Sequence, residues 1–345
     1  MVNRFTAEGE CTSKVTIKAV AKKAGVSTAA VSYALSGKRK ISPGVTARIK
    51  TVAVELGYRP SLLARSLASS KTWTVGLYTT PTKNIREDVF FGSLLAGVLD
   101  ELHQKKYQLH LYADYLNENP IDHPDLSMTQ PIDGALIMNP RVDDVYLAHI
   151  KRQDIPFVVI GTPSDPRRVF YVDVDIAAGA HTATRYLVAR GHRRILFVDG
   201  PRDYMQSVHH REGSQRALAE SRLPWSERDI VHIDLQEHAA YEMLGRLGKR
   251  VSDYTAILAY HDVFSYGIMR FLKSKGLRVP ADVAYVSMGN TLISRINSPG
   301  LTSVDMAPYE MGRRSAEMLV EVIERRRVRP CHAIIPTSLV ERDSV

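Results

Sequence analysis

Apolar residues recur at helical spacing over the first sixty positions and in short unbroken runs after them, so the chain changes period once along its length. Ile17, Val20, Ala21 and Ala24 fall at i, i+3, i+4 and i+7 and predict a first helix with one apolar face. Thr16 stands at its N-cap, where a hydroxyl can accept from an orphan backbone N–H. Gly25 can take the positive φ that ends the helix sharply. Ser27 caps a second predicted helix with Val31, Ala34 and Leu35 on its inner face, and the small Ala21 and Ala24 let the two helices cross closely. Ser42-Pro43 is an N-cap followed by proline at the first helical position. Val45, Ile49, Val52, Ala53 and Leu56 line the third helix it opens, and Gly57 closes it. Two helices joined by a glycine turn over 17–36, covered by a third, make the pattern of a helix-turn-helix, whose second helix enters the DNA major groove. A helical hairpin in an ordinary core would show the same periodicity.

The runs that follow are strand-like: Val75–Thr79, Leu109–Ala113, Gly134–Met138, Phe157–Gly161, Ile195–Asp199, Ala256–Tyr260 and Ala284–Met288. Amphipathic stretches separate them, among them Phe90–Lys105, Ile176–Arg190, Arg211–Ser221, Val263–Lys275 and Tyr309–Arg326. Such alternation predicts parallel sheets with helices on both faces. The stretch is too long for one typical domain and fits two. Between the two regimes, Pro60 and Ser61 open a short helix with Leu63 and Leu67 one turn apart. It is too short to persist alone in water and needs a partner, either a second copy or DNA.

Charge separates the DNA reading from the bland one. Of 345 residues with a net charge of +9, the first 70 hold twelve Lys/Arg and three Asp/Glu, while the remaining 275 are neutral overall. A small basic head on a neutral body is the electrostatic footprint of a phosphate-binding module. No signal peptide or membrane-length apolar run is present. The two cysteines, Cys11 and Cys331, make no disulfide framework, and a reduced cytoplasmic protein is expected. No phosphate-binding loop or nucleophile elbow occurs. His209-His210-Arg211-Glu212 lacks the spacing that completes a tetrahedral metal site. Neither an enzyme nor a cofactor nor a metal is therefore expected, and Arg325-Arg326-Arg327 with Arg329 reads as a solvated helix end.

The segments AVAKKAGVSTAAVSYALSG, ELGYRPSLLARSLAS, ARGHRRILFVDGP and KGLRVPADVAYVS together resemble the lactose-repressor (LacI/GalR) family of bacterial transcription regulators, and the resemblance runs from Val15 to Val345. It implies an all-α head with a hinge helix, and an α/β core of two doubly wound subdomains built like periplasmic binding proteins. The implied plan is a disordered extension over 1–14, a DNA-binding domain over 15–60, a hinge helix over 61–70 and a core over 73–345. Within the core, one subdomain is expected at about 73–172 plus 303–328 and the other at about 175–300 plus 330–345, with crossovers near 172–175, 301–304 and 327–331. Thr28, Ala29 and Tyr33 match the base-reading positions, and none is an Arg, Asn or Gln able to fix a base bidentately. Thr16, Ser27, Ser32 and Lys38 complete the expected DNA contacts of the head. Lys18, Lys22, Lys23, Arg39, Lys40 and Arg48 are candidate phosphate contacts. Leu67, with Leu63 and Arg65 beside it, matches the family's minor-groove wedge.

The resemblance also implies a palindromic double-stranded operator, a homodimer, and a small-molecule effector between the subdomains. The chain departs from the family there. His210 replaces an Arg, Gly289 an Asp, and Ile176 an Asn, while Asp262 is kept. Tyr78, Phe90, Phe91, His210, Asp262 and Asn290 remain as candidate effector contacts. Two readings stay open: a cleft for a ligand less polyhydroxylated than a sugar or carrying a negative charge for His210, or a vestigial cleft in a constitutive or partner-controlled regulator. An architectural DNA-binding protein fits the large neutral body poorly. A secreted solute-binding protein fits neither the basic head nor the missing signal. No heptad extension follows the last strand-like segment, so a dimer is expected rather than a tetramer.

Overall fold

The computed structural model describes residues 15–36, 39–58, 71–79, 88–113, 132–152, 155–167, 169–324 and 331–345. The extension over 1–14, Lys38, and the hinge segment with Leu63, Arg65 and Leu67 lie outside the described residues. The chain forms two compact units, Met1–Thr72 and Trp73–Val345.

The first unit holds α1 (Ile17–Ala24), α2 (Thr28–Ser36) and α3 (Pro43–Glu55). Gly25 adopts φ 63°, and its N–H returns to the carbonyl of Lys22. Ser27 Oγ accepts from the N–H of Ala30 at 3.1 Å. Thr16 departs from expectation. It sits at the N-cap with extended backbone, but its hydroxyl makes no cap bond and only its carbonyl takes up the first helical N–H groups. The exposed hydroxyl is left to another partner. Val20, Ala21, Ala24, Val31, Ala34, Ile49, Val52 and Ala53 form the core. Lys23 pairs with Glu55 at 2.9 Å, both about half exposed. Solvent screens such a pair, so Glu55→Ala is expected to change stability by less than about 0.5 kcal/mol in chemical denaturation.

The second unit is built on two six-stranded sheets. Its strands are β1 (Thr74–Thr79), β2 (Gln108–Ala113), β3 (Gly134–Met138), β4 (Phe157–Ile160), β5 (Tyr171–Val174), β6 (Ile195–Asp199), β7 (Ile230–His232), β8 (Ala256–Ala259), β9 (Ala284–Gly289), β10 (Thr302–Asp305), β11 (His332–Ile335) and β12 (Ser338–Val340). The first sheet runs β11-β5-β4-β3-β1-β2, all parallel. The second runs β12-β10-β9-β8-β6-β7, parallel except for the edge strand β12. The helices are α4 (Val89–Gln104), α5 (Val145–Lys151), α6 (Ile176–Ala189), α7 (Met205–Glu220), α8 (Glu237–Leu247), α9 (Val263–Ser274), α10 (Leu292–Ile296) and α11 (Pro308–Ile323). β1, β3, β6, β8 and β9 are buried along their whole length, which is why they read as unbroken apolar runs.

Three connections pass between the sheets, and two of them fall elsewhere than expected. β10 pairs with β9 (Thr302 beside Val286), so 302–305 belongs to the second sheet and the chain crosses after Asp305, not within 301–304. β11 pairs with β5 (His332 beside Tyr171), so 332–335 belongs to the first sheet. The last crossing therefore lies between β11 and β12, not at 327–331. The first subdomain thus takes back 332–335 and gives up 303–305. The hydrogen-bond register decides this, and edge strands with one wet face carry no apolar run to announce it.

Glycine allows the closest helix contacts. A Cβ on Gly97 would overlap the Tyr309 carbonyl oxygen and one on Gly312 that of Leu94, where α4 crosses α11. A Cβ on Gly213 would overlap the Ala177 carbonyl oxygen, where α7 crosses α6.

Candidate nucleic-acid interface and inter-subdomain cleft

Helical spacing turns Val31 and Ala34 of α2 inward and leaves Thr28, Ala29 and Ser32 exposed, with Tyr33 half-buried at the edge of the same face. The Arg39 guanidinium lies 6.0 Å from the Tyr33 ring centroid. Thr16, Ser27, Lys18, Lys22, Lys40 and Arg48 are exposed as well. The base-reading and phosphate candidates within the described residues are therefore open to solvent, while Lys23 is held by Glu55.

In the second unit a cleft opens where the C-terminal ends of the strands meet the starts of the following helices, the usual ligand position in open α/β sheets. Asp88 and Phe90 at the start of α4, Met138 and Asn139 after β3, and Asp173 at the end of β5 line it from the first subdomain. Gln206 of α7, Tyr260 and His261 after β8, Met288 near the end of β9 and Met306 after β10 face them from the second. Its empty space is about 570 Å³, open solvent at the mouth included.

The polar groups of the cleft are largely committed. Asp88 Oδ1 accepts from the N–H of Phe91 at 3.0 Å and caps α4. His261 Nδ1 accepts from the N–H of Val263 at 3.1 Å, so its proton resides on Nε2, 3.9 Å from Asp88 Oδ1. Asp173 accepts from the Thr162 N–H and hydroxyl at 2.7 and 2.8 Å and from the Val174 N–H at 2.8 Å. Burial raises its pKa above the usual carboxylate range even though these donors pull it down. Burial and the carboxylates of Asp199, Asp173 and Asp88 push the Tyr260 phenol well above its ordinary value, so it stays neutral. Gln206 donates to Asn139 Oδ1 at 3.3 Å, while its buried Oε1 makes no hydrogen bond among the described residues.

Of the six residues expected at the cleft, only Phe90 lines it. Phe91, next along α4, is buried in the hydrophobic core and does not line the cleft. Tyr78 stacks on Tyr112 with ring centroids 4.5 Å apart, against the β3 and β4 side chains Ile137 and Val159. His210 is fully buried behind Tyr260, its Nδ1 3.5 Å from Asp199 Oδ1. Facing a carboxylate, it is not placed to meet an anionic ligand. Asn290 donates to Asp305 at 3.2 Å and accepts from Arg342 at 2.6 Å, which ties the turn after β9 to the last strand segment. Asp262 is fully buried. Its Oδ2 accepts from the Thr291 N–H at 2.7 Å and hydroxyl at 2.8 Å, and its Oδ1 accepts from Ser287 and Ser303. Gly289 takes φ 136°, and any Cβ there would crowd the Asp262 carboxylate. The retained aspartate thus organises the turn in which the family carries its own. Gln206, Tyr260, His261 and the methionines escaped the sequence reading, although the ends of strand-like runs are where ligand contacts concentrate.

A basic helix-turn-helix unit followed by a two-sheet core of the periplasmic-binding-protein type defines a DNA-binding transcription regulator. The model of bacterial regulatory proteins of the lacI family matches residues 16–61, and that of the periplasmic binding protein-like domain matches residues 184–345. The HTH-type transcriptional regulator AglR of Rhizobium meliloti is 30% identical over 81% of this chain and 78% of that protein. A transcriptional regulator CelR–cellobiose complex superposes with a TM-score of 0.74 at 28% identity, covering 96% of this chain and all of that one. The lac repressor dimer bound to operator and an anti-inducer shares the fold, with a TM-score of 0.80 at 20% identity over 96% of this chain and 98% of that one. The chain belongs to the LacI family, whose members regulate transcription and are not enzymes.

Proposed function

We propose that the protein is a cytoplasmic repressor that binds a palindromic operator as a homodimer and is controlled by a small molecule in the cleft. The observation that carries this is the pairing of an exposed α2 reading face with a core whose two sheets are joined by three strand connections around one cleft. A two-fold dimer presents two reading helices to two half-sites, so operator symmetry mirrors protein symmetry. The cellobiose of the CelR complex and the operator-bound dimer of the lac repressor belong to those proteins and lend the reading support by likeness. A ligand that binds open and closed clefts with different affinity shifts the balance between them, and one that does not shifts nothing.

Selection of random duplexes by the full-length chain tests the reading. The expected product is an inverted repeat carrying two chains per duplex. A single half-site, or no enriched sequence, would contradict it. On the selected duplex, Tyr33→Ala is expected to weaken binding about tenfold or more, with an unchanged melting temperature, because the ring lies on the reading face and outside the buried core.

A further inference from the structure

The chemistry of the cleft identifies a class of ligand, and the inference rests on the effector-cleft reading above. The two charged side chains among its described lining residues are carboxylates, Asp88 and Asp173, and no Lys or Arg joins them there. Three of the helix N-termini around the cleft, which elsewhere serve anions, are already occupied by the protein's own side chains. Asp88 caps α4, Asp175 accepts from the Ala178 N–H of α6 at 2.8 Å, and His261 accepts from the Val263 N–H of α9. Phosphate esters and carboxylic acids therefore meet two carboxyl groups and no Lys or Arg among the described lining residues. The walls are apolar and polarizable, with Met138, Met288, Met306 and Met311 facing the rings of Phe90 and Tyr260. Such surface suits a compact apolar body. A sugar, with a hydroxyl on almost every carbon, would find too few partners and lose hydrogen bonds to water.

Two acceptors remain for a ligand. Asp173 spends both oxygens on Thr162 and Val174, whereas Asp88 spends Oδ1 and leaves Oδ2. Gln206 Oε1 is a buried acceptor without a donor, and the residue is 8% exposed. Carboxylate, amide oxygen and aromatic faces together recognise an ammonium group through charge-assisted hydrogen bonds and cation–π attraction. We propose that the cleft takes an amphipathic organic amine, its ammonium directed to Asp88 and Gln206 and its apolar body against the methionines and Phe90.

Thermal shift and titration calorimetry of the full-length protein test this with four probes: 2-phenylethylamine, its neutral counterpart 2-phenylethanol, cellobiose and glucose 6-phosphate. The amine is expected to raise the melting temperature with dose and to bind at least about tenfold tighter than the alcohol. Asp88→Asn keeps a good N-cap for α4 and is expected to erase that tenfold preference. The alcohol comparison needs no variant and so stands even if Asp88→Asn folds poorly. Equal affinity for amine and alcohol, or a preference that survives Asp88→Asn, would overturn the proposal. A response to cellobiose or glucose 6-phosphate without one to the amine would overturn it and leave the effector-cleft reading standing. No response to any probe would count against both.

Discussion

Replacing Asp262 with alanine is expected to lower stability by about 3–5 kcal/mol, because it strips several buried donors of their acceptor at about 1–3 kcal/mol each. The carboxylate is fully buried and receives four hydrogen bonds from Ser287, Thr291 and Ser303. Without it, the backbone N–H of Thr291 and three hydroxyls lose their acceptor inside the protein, each at the cost of an unmade buried hydrogen bond. For a unit running from Trp73 to Val345, with an unfolding entropy of about 2.1 cal/mol/K per residue, the loss corresponds to a fall in melting temperature of roughly 5–9 °C. Asp262→Asn keeps the shape and one acceptor oxygen and is expected to cost less. The kind of effect matters as much as its size. A residue that clamped ligand would change ligand affinity and leave the unliganded protein's melting unchanged. A fall in ligand affinity with unaltered melting would return Asp262 to the cleft and contradict its place as the anchor of the turn after β9.

Gly213→Ala sets two effects against each other. Alanine is favoured over glycine in a helix interior by about 1 kcal/mol, and α7 would gain that. The new methyl, however, would overlap the backbone carbonyl of Ala177 on α6, which has no side-chain freedom with which to yield. The helices must part, and overpacking of this kind costs typically about 1–3 kcal/mol and occasionally more. The steric cost is expected to win, with a net loss of about 2 kcal/mol seen in urea unfolding. Gly245 on α8 is the internal comparison, because a Cβ there meets nothing within 4 Å. Gly245→Ala is expected to be neutral or slightly stabilising. Equal and positive effects at both glycines would show that α6 and α7 do not touch at Gly213.

These two positions also show what the sequence could reveal. Helical period, glycine placement and charge asymmetry made the reading head visible, because each is a local property of a short segment. Ile17 through Ala24 announce α1, and Gly25 announces its end, without reference to anything distant. The strands buried on both faces were visible for the same reason. The assignment of β10 and β11 to their sheets was not, because it depends on which neighbour each strand bonds. Thr302 and His332 carry no mark of their partners.

The cleft was the least legible part. Position relative to the family pattern brought His210, Asp262 and Asn290 to notice, but orientation decides function. All three turn inward to Asp199, Thr291 and Arg342. Beside Phe90, the residues that do face the space include methionines and a glutamine, types that in sequence look like ordinary core or surface.

The central claim is that the exposed face of α2 reads a particular sequence. Fluorescence anisotropy at about 0.15 M salt, comparing the selected inverted repeat with a scrambled duplex of the same length, tests it most directly. A specific regulator is expected to prefer its site by at least about a thousandfold. It should lose most of that preference, but not its residual salt-dependent binding, when Thr28 and Tyr33 are both replaced by alanine. Equal affinity for the two duplexes would contradict the account.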